Sequence, residues 1–261
     1  MGELSQTLDR RRVGLALGGG GARGFAHLGV IQVLEQEGVP VDCVAGTSVG
    51  SLVGAAYAAG LRGGRLLDLA LKIRWRDVAR PAWPRNGLVS FARMEPYIIR
   101  LLGDLTFAEL EIPYAAVAAD LVTGEEVILR EGRLAPAVRA SCSVPSVVTP
   151  LELDGRFLVD GGMINNLPIS VVRDLGADIV LAVGLAAPPG DRPKGLLSTA
   201  ITAIEHLLIK AGDDPATADV YIPLPFWGLA SIVRLSKGEE SVALGRQAAV
   251  QALPAIKAAL S

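Results

Sequence analysis

The stretch from Val41 to Gly60 constrains this chain more than any other. An apolar run over 41–45 passes through Gly46-Thr47-Ser48-Val49-Gly50 into an Ala-rich, helix-favouring segment that ends at Gly60. Strand, sharp turn and helix in direct succession place Ser48 on the turn. Glycines suit positions 46 and 50, because backbone from both sides closes on the serine and a β-carbon there would collide.

The preceding residues repeat the pattern. After a polar tail over 1–12, Val13–Leu17 reads as a buried strand, residues 18–24 as a glycine-rich loop, and Phe25–Gln36 as a helix with Leu28, Val30, Ile31 and Leu34 on its apolar stripe. The first 60 residues are then β-α-β-α over a parallel sheet. Residues 63–102 are helical but interrupted by Pro81 and Pro84, with Trp75, Trp83, Arg74, Arg76, Arg80, Arg85 and Arg93 among them. Tryptophan and arginine around prolines suit a lipid–water interface, but the lack of a long amphipathic helix favours a covering loop packed on the core.

Further along, strands are predicted over 114–120 and 126–129, and a helix over 134–142 closed before Pro145. Asp154-Gly155 joins 151–153 to 156–159 as a two-residue hairpin turn. Asn165 and Asn166 read as the capped start of a helix to about 175, with Pro168 in its first turn. A strand over 178–185, an amphipathic helix over 196–210, a strand over 220–224 and a terminal helix over 239–260, made irregular by Pro254, complete the chain. The expected fold is α/β, a three-layer α/β/α sandwich with a mainly parallel central sheet, as one domain over 13–261.

Bulk properties exclude several classes. The residues are 51% hydrophobic, yet no uninterrupted apolar run approaches the ~18 of a membrane-spanning helix. A net charge of −2 gives no reason to expect a nucleic-acid partner. Arg10-Arg11-Arg12 precedes an apolar stretch too short for a signal-peptide core, and Gln6 stands where a myristoylation signal wants Ser or Thr. Cys43 and Cys142 have neither paired spacing nor neighbouring histidines, which implies reduced core residues in a cytoplasmic protein and no zinc or other metal.

Three pieces carry chemistry together: the loop with Gly19, Gly20, Gly21 and Gly24, the Ser48 turn, and Asp160-Gly161-Gly162. Acyl transfer needs a nucleophile, a base and donors aimed at the oxyanion, and the chain offers one candidate for each. Loops at the carboxyl ends of neighbouring parallel strands converge on one crevice, where Ser48 and the glycine loop would both lie.

These motifs resemble those of the patatin-like phospholipases. Gly19-Gly20-Gly21-Ala22-Arg23-Gly24 is similar to the family's oxyanion loop, Gly46 to Gly50 to its nucleophile turn, and Asp160-Gly161-Gly162 to its D-G-G/A motif. Arg139-Ala140-Ser141-Cys142-Ser143-Val144-Pro145 and the run from Val159 through Asn166-Leu167-Pro168 also resemble family segments. The resemblance implies a Ser-Asp dyad with Ser48 as nucleophile, Asp160 as base and backbone N–H groups around Gly20 and Gly21 as oxyanion donors. It implies hydrolysis of lipid acyl esters at or near a membrane surface, with no cofactor or metal. A carboxylate with a reference pKa near ~4 is ionised at pH 7 and can serve as that base. Arg23 reads equally as a head-group contact or a solvated helix-start residue, and Asp120 as a turn cap.

Three other readings compete. The glycine loop also fits a dinucleotide fingerprint, but the acidic residue wanted at the end of the second strand is missing, and Asp42 lies at the wrong end. Ser48, Asp160 and His206 stand in the order of a Ser-Asp-His triad, although His206 falls inside a helix and His27 likewise. The chain could also keep the fold as a membrane or protein adaptor without turnover.

Overall fold

Strand alternation decides how the sheet is covered on its two faces. The computed structural model describes residues 10–83, 86–186, 195, 199, 203, 206–208, 210–225 and 235–261. In chain order its elements are β1 (Val13–Leu17), α1 (Phe25–Gln36), β2 (Cys43–Thr47), α2 (Val49–Ala58), α3 (Gly63–Leu71), α4 (Trp75–Val78), β3 (Arg80–Pro81) and β4 (Val89–Ser90). There follow α5 (Met94–Leu102), β5 (Tyr114–Asp120), β6 (Glu126–Leu129), α6 (Leu134–Ser141), β7 (Leu151–Leu153), β8 (Arg156–Asp160), α7 (Ile169–Asp174), β9 (Ile179–Ala186), β10 (Val220–Pro225) and α8 (Gly238–Leu260).

The strands β10, β9, β1, β2 and β5 lie side by side and parallel, while β6, β7 and β8 add antiparallel pairs beyond β2. Successive side chains point to opposite faces. Leu15, Leu17, Val44, Leu181 and Val183 share one core with α1, α2 and α8. The intervening Ala16, Cys43, Ala45 and Ala182 share a second, smaller core with α7. Large residues on one face and small ones on the other make the sandwich lopsided, and the parallel strands are buried on both sides as such sheets require.

The structure moves several predicted elements. Strand β2 begins two residues later than expected and includes Gly46 and Thr47, because its register against Leu17 of β1 and Val117 of β5 carries the ladder to the turn. The segment 63–102 resolves into α3, α4, the β3–β4 hairpin and α5. Asn165 and Asn166 do not cap a helix: Pro168 is the N-cap of α7, and no side chain caps it. Helix α8 runs through Pro254 to Leu260 as one element. Most of the helix expected over 196–210 lies outside the described residues, of which His206–Leu208 and Lys210 are helical. Asp154 and Gly155 both have positive φ, 51° and 75°, as a two-residue hairpin turn of their type demands. Among the described residues no helix is long and apolar enough to cross a membrane.

Helices α1 and α8 pack backbone to backbone. A β-carbon at Gly29 would run into the Val242 carbonyl, and one at Gly245 into the Ala26 carbonyl. Gly29→Ala should lower the unfolding free energy by about 2 kcal/mol or more, since the obstruction is main chain and cannot turn aside. Gly64→Ala, where nothing lies within 4 Å, should be neutral or stabilise by up to about 1 kcal/mol. Urea denaturation of the two variants checks the contrast.

Candidate active site

Strand β5 is flanked twice on the same side. Ala116 pairs with Gly46 of β2 and with Leu129 of β6, so β2 and β6 lie on opposite sides. Ala118 pairs with Val127 of β6 and with Asp160 of β8, so β8 lies on the side of β2. Strand β2 ends at Thr47 opposite Val117, and β8, running the other way, ends at Asp160 opposite Ala118. The two strand ends meet head to head. Ser48, the next residue of the chain, thereby comes against Asp160 although 160 − 48 = 112 positions separate them.

The seam is held by α6. Ser141 Oγ donates to the Val117 carbonyl at 2.6 Å and accepts from the Ser48 N–H at 2.9 Å. The hydroxyl thus replaces ladder bonds that neither strand end can supply. The Ser48 carbonyl accepts from Ser51 Oγ at 2.6 Å, Ser51 N–H at 2.9 Å and Cys142 Sγ at 3.2 Å. These bonds fix Ser48 at φ 55°, ψ −125°, a conformation that costs a non-glycine residue about 1–3 kcal/mol. Gly50 must lack a side chain here, because a β-carbon would strike the Leu17 carbonyl.

Asp160 is buried at the end of β8. Its N–H donates to the Ser143 carbonyl at 2.9 Å, and its Oδ1 accepts from the Gly162 N–H at 2.8 Å. The Ser48 side chain lies close enough to the carboxylate to stabilise its ionised form. Burial pushes the Asp160 carboxyl up to about 6, and the Ser48 side chain and the Gly162 N–H oppose that shift without cancelling it. Gly161 and Gly162 let the chain turn here; a β-carbon on Gly161 would meet the Val117 carbonyl.

The glycine loop closes the third side. A β-carbon on Gly19 would lie 3.2 Å from Ser48 Cβ, and one on Gly24 would strike the Val49 side chain. Gly18 N–H donates to Val183 and Gly19 N–H to Asn166, so both are engaged. Gly21 has φ 60°, and among the described residues the N–H groups of Gly20 and Gly21 have no acceptor. Arg23 is buried and engaged within the fold, which removes the solvated alternative for it.

Asn165 and Asn166, which carry no reacting group, join these parts. The Asn166 carbonyl accepts from Gly19, its N–H donates to Ala211, the Asn165 carbonyl accepts from Thr47 Oγ1 at 2.8 Å, and the Asn165 N–H donates to Gly161. Buried His27 packs beneath the loop with Nε2 2.8 Å from the Gly18 carbonyl. Burial holds its imidazole down at about 4, so it is neutral and Nε2–H is the donor. His206 is exposed and makes no hydrogen bond to Ser48 or Asp160 among the described residues. Asp120 accepts from the Val122 N–H at 2.9 Å, a turn contact. Asp42 is paired with Arg10 at 2.6 and 2.7 Å, at the end of β2 away from the glycine loop. Among the described residues no group of His, Cys, Asp or Glu could hold a metal ion.

A serine on a strained strand-to-helix turn, at the carboxyl edge of a mainly parallel sheet, is the architecture of α/β serine hydrolases. Residues 15–173 match the patatin-like phospholipase family, and the chain belongs to that family. It is 40% identical over 177 residues to an uncharacterized NTE family protein of Mycobacterium tuberculosis, covering 67% of this chain and 49% of that protein. It is 34% identical over 196 residues to the lysophospholipase NTE1 of Saccharomyces cerevisiae, covering 73% of this chain and 12% of that one. The chain thus spans about half the length, or less, of these curated relatives. Among solved structures it is similar to VipD from Legionella pneumophila (TM-score 0.60, 15% identity, 96% of this chain and 67% of that one). It is also similar to ExoU in its complex with SpcU from Pseudomonas aeruginosa (TM-score 0.53, 15% identity, 96% and 52%). These structural likenesses bear out the expected α/β sandwich.

Ser141→Ala would orphan the Ser48 N–H and the Val117 carbonyl together. The expected loss of stability is about 2–4 kcal/mol. Ser143→Ala removes a single helix back-bond to Arg139, 2.9 Å long, and should cost about 1 kcal/mol or less. Urea unfolding of both variants provides the comparison.

Proposed function

We propose that this chain is a serine esterase that cleaves the acyl esters of lysophospholipids, phospholipids or related lipids through a Ser48–Asp160 dyad. The observation that carries the reading is the buried Asp160 carboxylate, set beside Ser48 where β2 and β8 meet and raised to about 6. A base with that value is mostly ionised at pH 7 yet stronger than an ordinary aspartate, as proton abstraction from a serine wants. The lipid class is supported by family membership and by the named lysophospholipase relative.

In this mechanism Asp160 takes the Ser48 proton as Ser48 Oγ attacks the ester carbonyl carbon. The oxygen that becomes negative is met by the unengaged N–H groups of Gly20 and Gly21, each such donor contributing on the order of 3 kcal/mol to the transition state. Of the four consecutive glycines at 18–21, these two are the donors, since the Gly18 and Gly19 N–H groups already serve Val183 and Asn166. Collapse of the tetrahedral adduct expels the alcohol, which leaves with the proton from Asp160. Water, deprotonated by the same carboxylate, then attacks the acyl-enzyme and releases the fatty acid.

A triad through His206 finds no support in its exposed position or its hydrogen bonds. Turnover of a short-chain p-nitrophenyl ester should fall by about 10²- to 10⁴-fold in Ser48→Ala and Asp160→Asn. In His206→Ala it should stay within about twofold of wild type. A folded but inactive His206→Ala protein would instead establish the triad. Covalent labelling by a fluorophosphonate should occur in wild type and be absent in Ser48→Ala; a wild type that resists labelling would point to an adaptor.

A further inference from the structure

Single apolar side chains in solvent are ordinary, whereas a contiguous exposed group marks a contact surface. In this protein several such side chains stand on segments that are bonded to one another and to the end of the Asp160 strand. Trp83 and Leu88, 80% and 62% exposed, stand at the end of the β3–β4 hairpin, where the Ala82 N–H donates to the Leu88 carbonyl at 3.0 Å. The hairpin is tied to the loop after α6, because the N–H groups of Leu88 and Val89 both donate to the Val147 carbonyl, at 3.0 and 2.9 Å. That loop exposes Val144 and Val147, and its Ser143 carbonyl holds the Asp160 N–H. In the turn that follows Asp160, Met163 is half exposed, and Leu207 is 69% exposed. The adjoining Leu208 reaches to 3.7 Å from where a β-carbon on Gly162 would lie. Apolar groups from four segments distant in sequence are thus linked, through these bonds and contacts, to the stretch from Asp160 to Met163.

Charge accompanies them. Lys72, Arg74, Arg76, Arg80 and Arg93 are all exposed, and Asp77 is the one acidic residue among the described positions of 72–93. Asp77 is already occupied, accepting from the Arg74 N–H at 3.0 Å. A local excess of cations in a chain of net charge −2 is complementary to an anionic surface, and arginine forks suit phosphate oxygens. The core-packing role expected for this segment holds only for part of it: Val78, Phe91 and Met94 are buried, while the hairpin end is not.

We propose that this face docks the protein on an anionic phospholipid bilayer, with Trp83 and Leu88 entering the interface and the flanking arginines meeting head-group phosphates. The proposal rests on the hydrolase reading for its purpose: an ester lifted slightly from the bilayer would reach Ser48 without crossing water. The docking itself is measured separately.

The full chain and a Trp83→Ser/Leu88→Ser double variant are sedimented with vesicles of phosphatidylcholine alone and of phosphatidylcholine mixed with phosphatidylglycerol. Turnover of a soluble p-nitrophenyl ester is followed in parallel. Wild type should bind the mixed vesicles in preference and lose binding in high salt. The double variant should bind them about tenfold or more weakly while its soluble-ester turnover stays within about twofold. Equal vesicle binding by the two proteins, or no preference for the anionic lipid, would overturn the proposal. So would a wild-type dimer, seen by light scattering, that the double variant converts to a monomer, since a second copy would then cover this face. If wild type lacks ester turnover but its vesicle binding still depends on Trp83 and Leu88, the docking surface stands and the hydrolase reading falls.

Discussion

Ser48 and Asp160 can meet only because β2 and β8 stop short of one another along the same side of β5. A continuous strand in that position would bury both residues in ladder bonds and leave no reactive edge. The interruption instead leaves a carbonyl at Val117 and an N–H at Ser48 without strand partners, and Ser141 Oγ satisfies both, at 2.6 and 2.9 Å. Burying such groups unpaired would cost about 1–3 kcal/mol each. One hydroxyl from α6 therefore makes the break tolerable, and the strained conformation of Ser48 depends on it. The packing around the break leaves little freedom: glycines at 46, 50 and 161 sit where a β-carbon would meet main chain.

The same burial that builds the site sets its electrostatics. The Asp160 carboxylate has only the Gly162 N–H and the nearby Ser48 side chain to support it in a low-dielectric seam, so its ionised form is disfavoured and its carboxyl rises to about 6. The neutral form is the one the fold favours. Its contribution to stability is complete below the unfolded value near ~4 and disappears as the pH rises through about 6. At neutral pH the protein thus carries an ionised, under-solvated carboxylate beside a strained serine, a local cost of the kind that concentrates at functional sites. His27 meets the opposite demand. Buried with one nitrogen bonded to the Gly18 carbonyl, it stays uncharged and braces the glycine loop.

Local patterns were legible in proportion to how far their causes lie along the chain. Helix α1 and strands β5 and β6 fall where periodicity and turn residues place them, because near neighbours decide them. The Ser48 turn and the Asp160-Gly161-Gly162 motif were visible from their glycines. Strand β2 starts two residues later than its hydropathy indicates, since its extent is fixed by pairing with Leu17 and Val117. The Asn165-Asn166 pair looked like a helix cap, because nothing nearby reveals that its backbone joins Gly19, Thr47 and Ala211. Ser141 stood in a motif with no stated task; its partners are 24 and 93 residues away. The raised carboxyl of Asp160 was likewise out of reach, since a reference value near ~4 applies only to a solvated side chain.

The central claim is that a buried carboxylate, and no histidine, activates Ser48. The most direct test is the pH dependence of the rate at which a fluorophosphonate phosphonylates Ser48. The account predicts a rate that rises about tenfold per pH unit in the acid range and levels off above an inflection near 6, with Asp160→Asn slow and without the inflection. A profile that keeps its inflection in Asp160→Asn but loses it in His206→Ala would contradict the account.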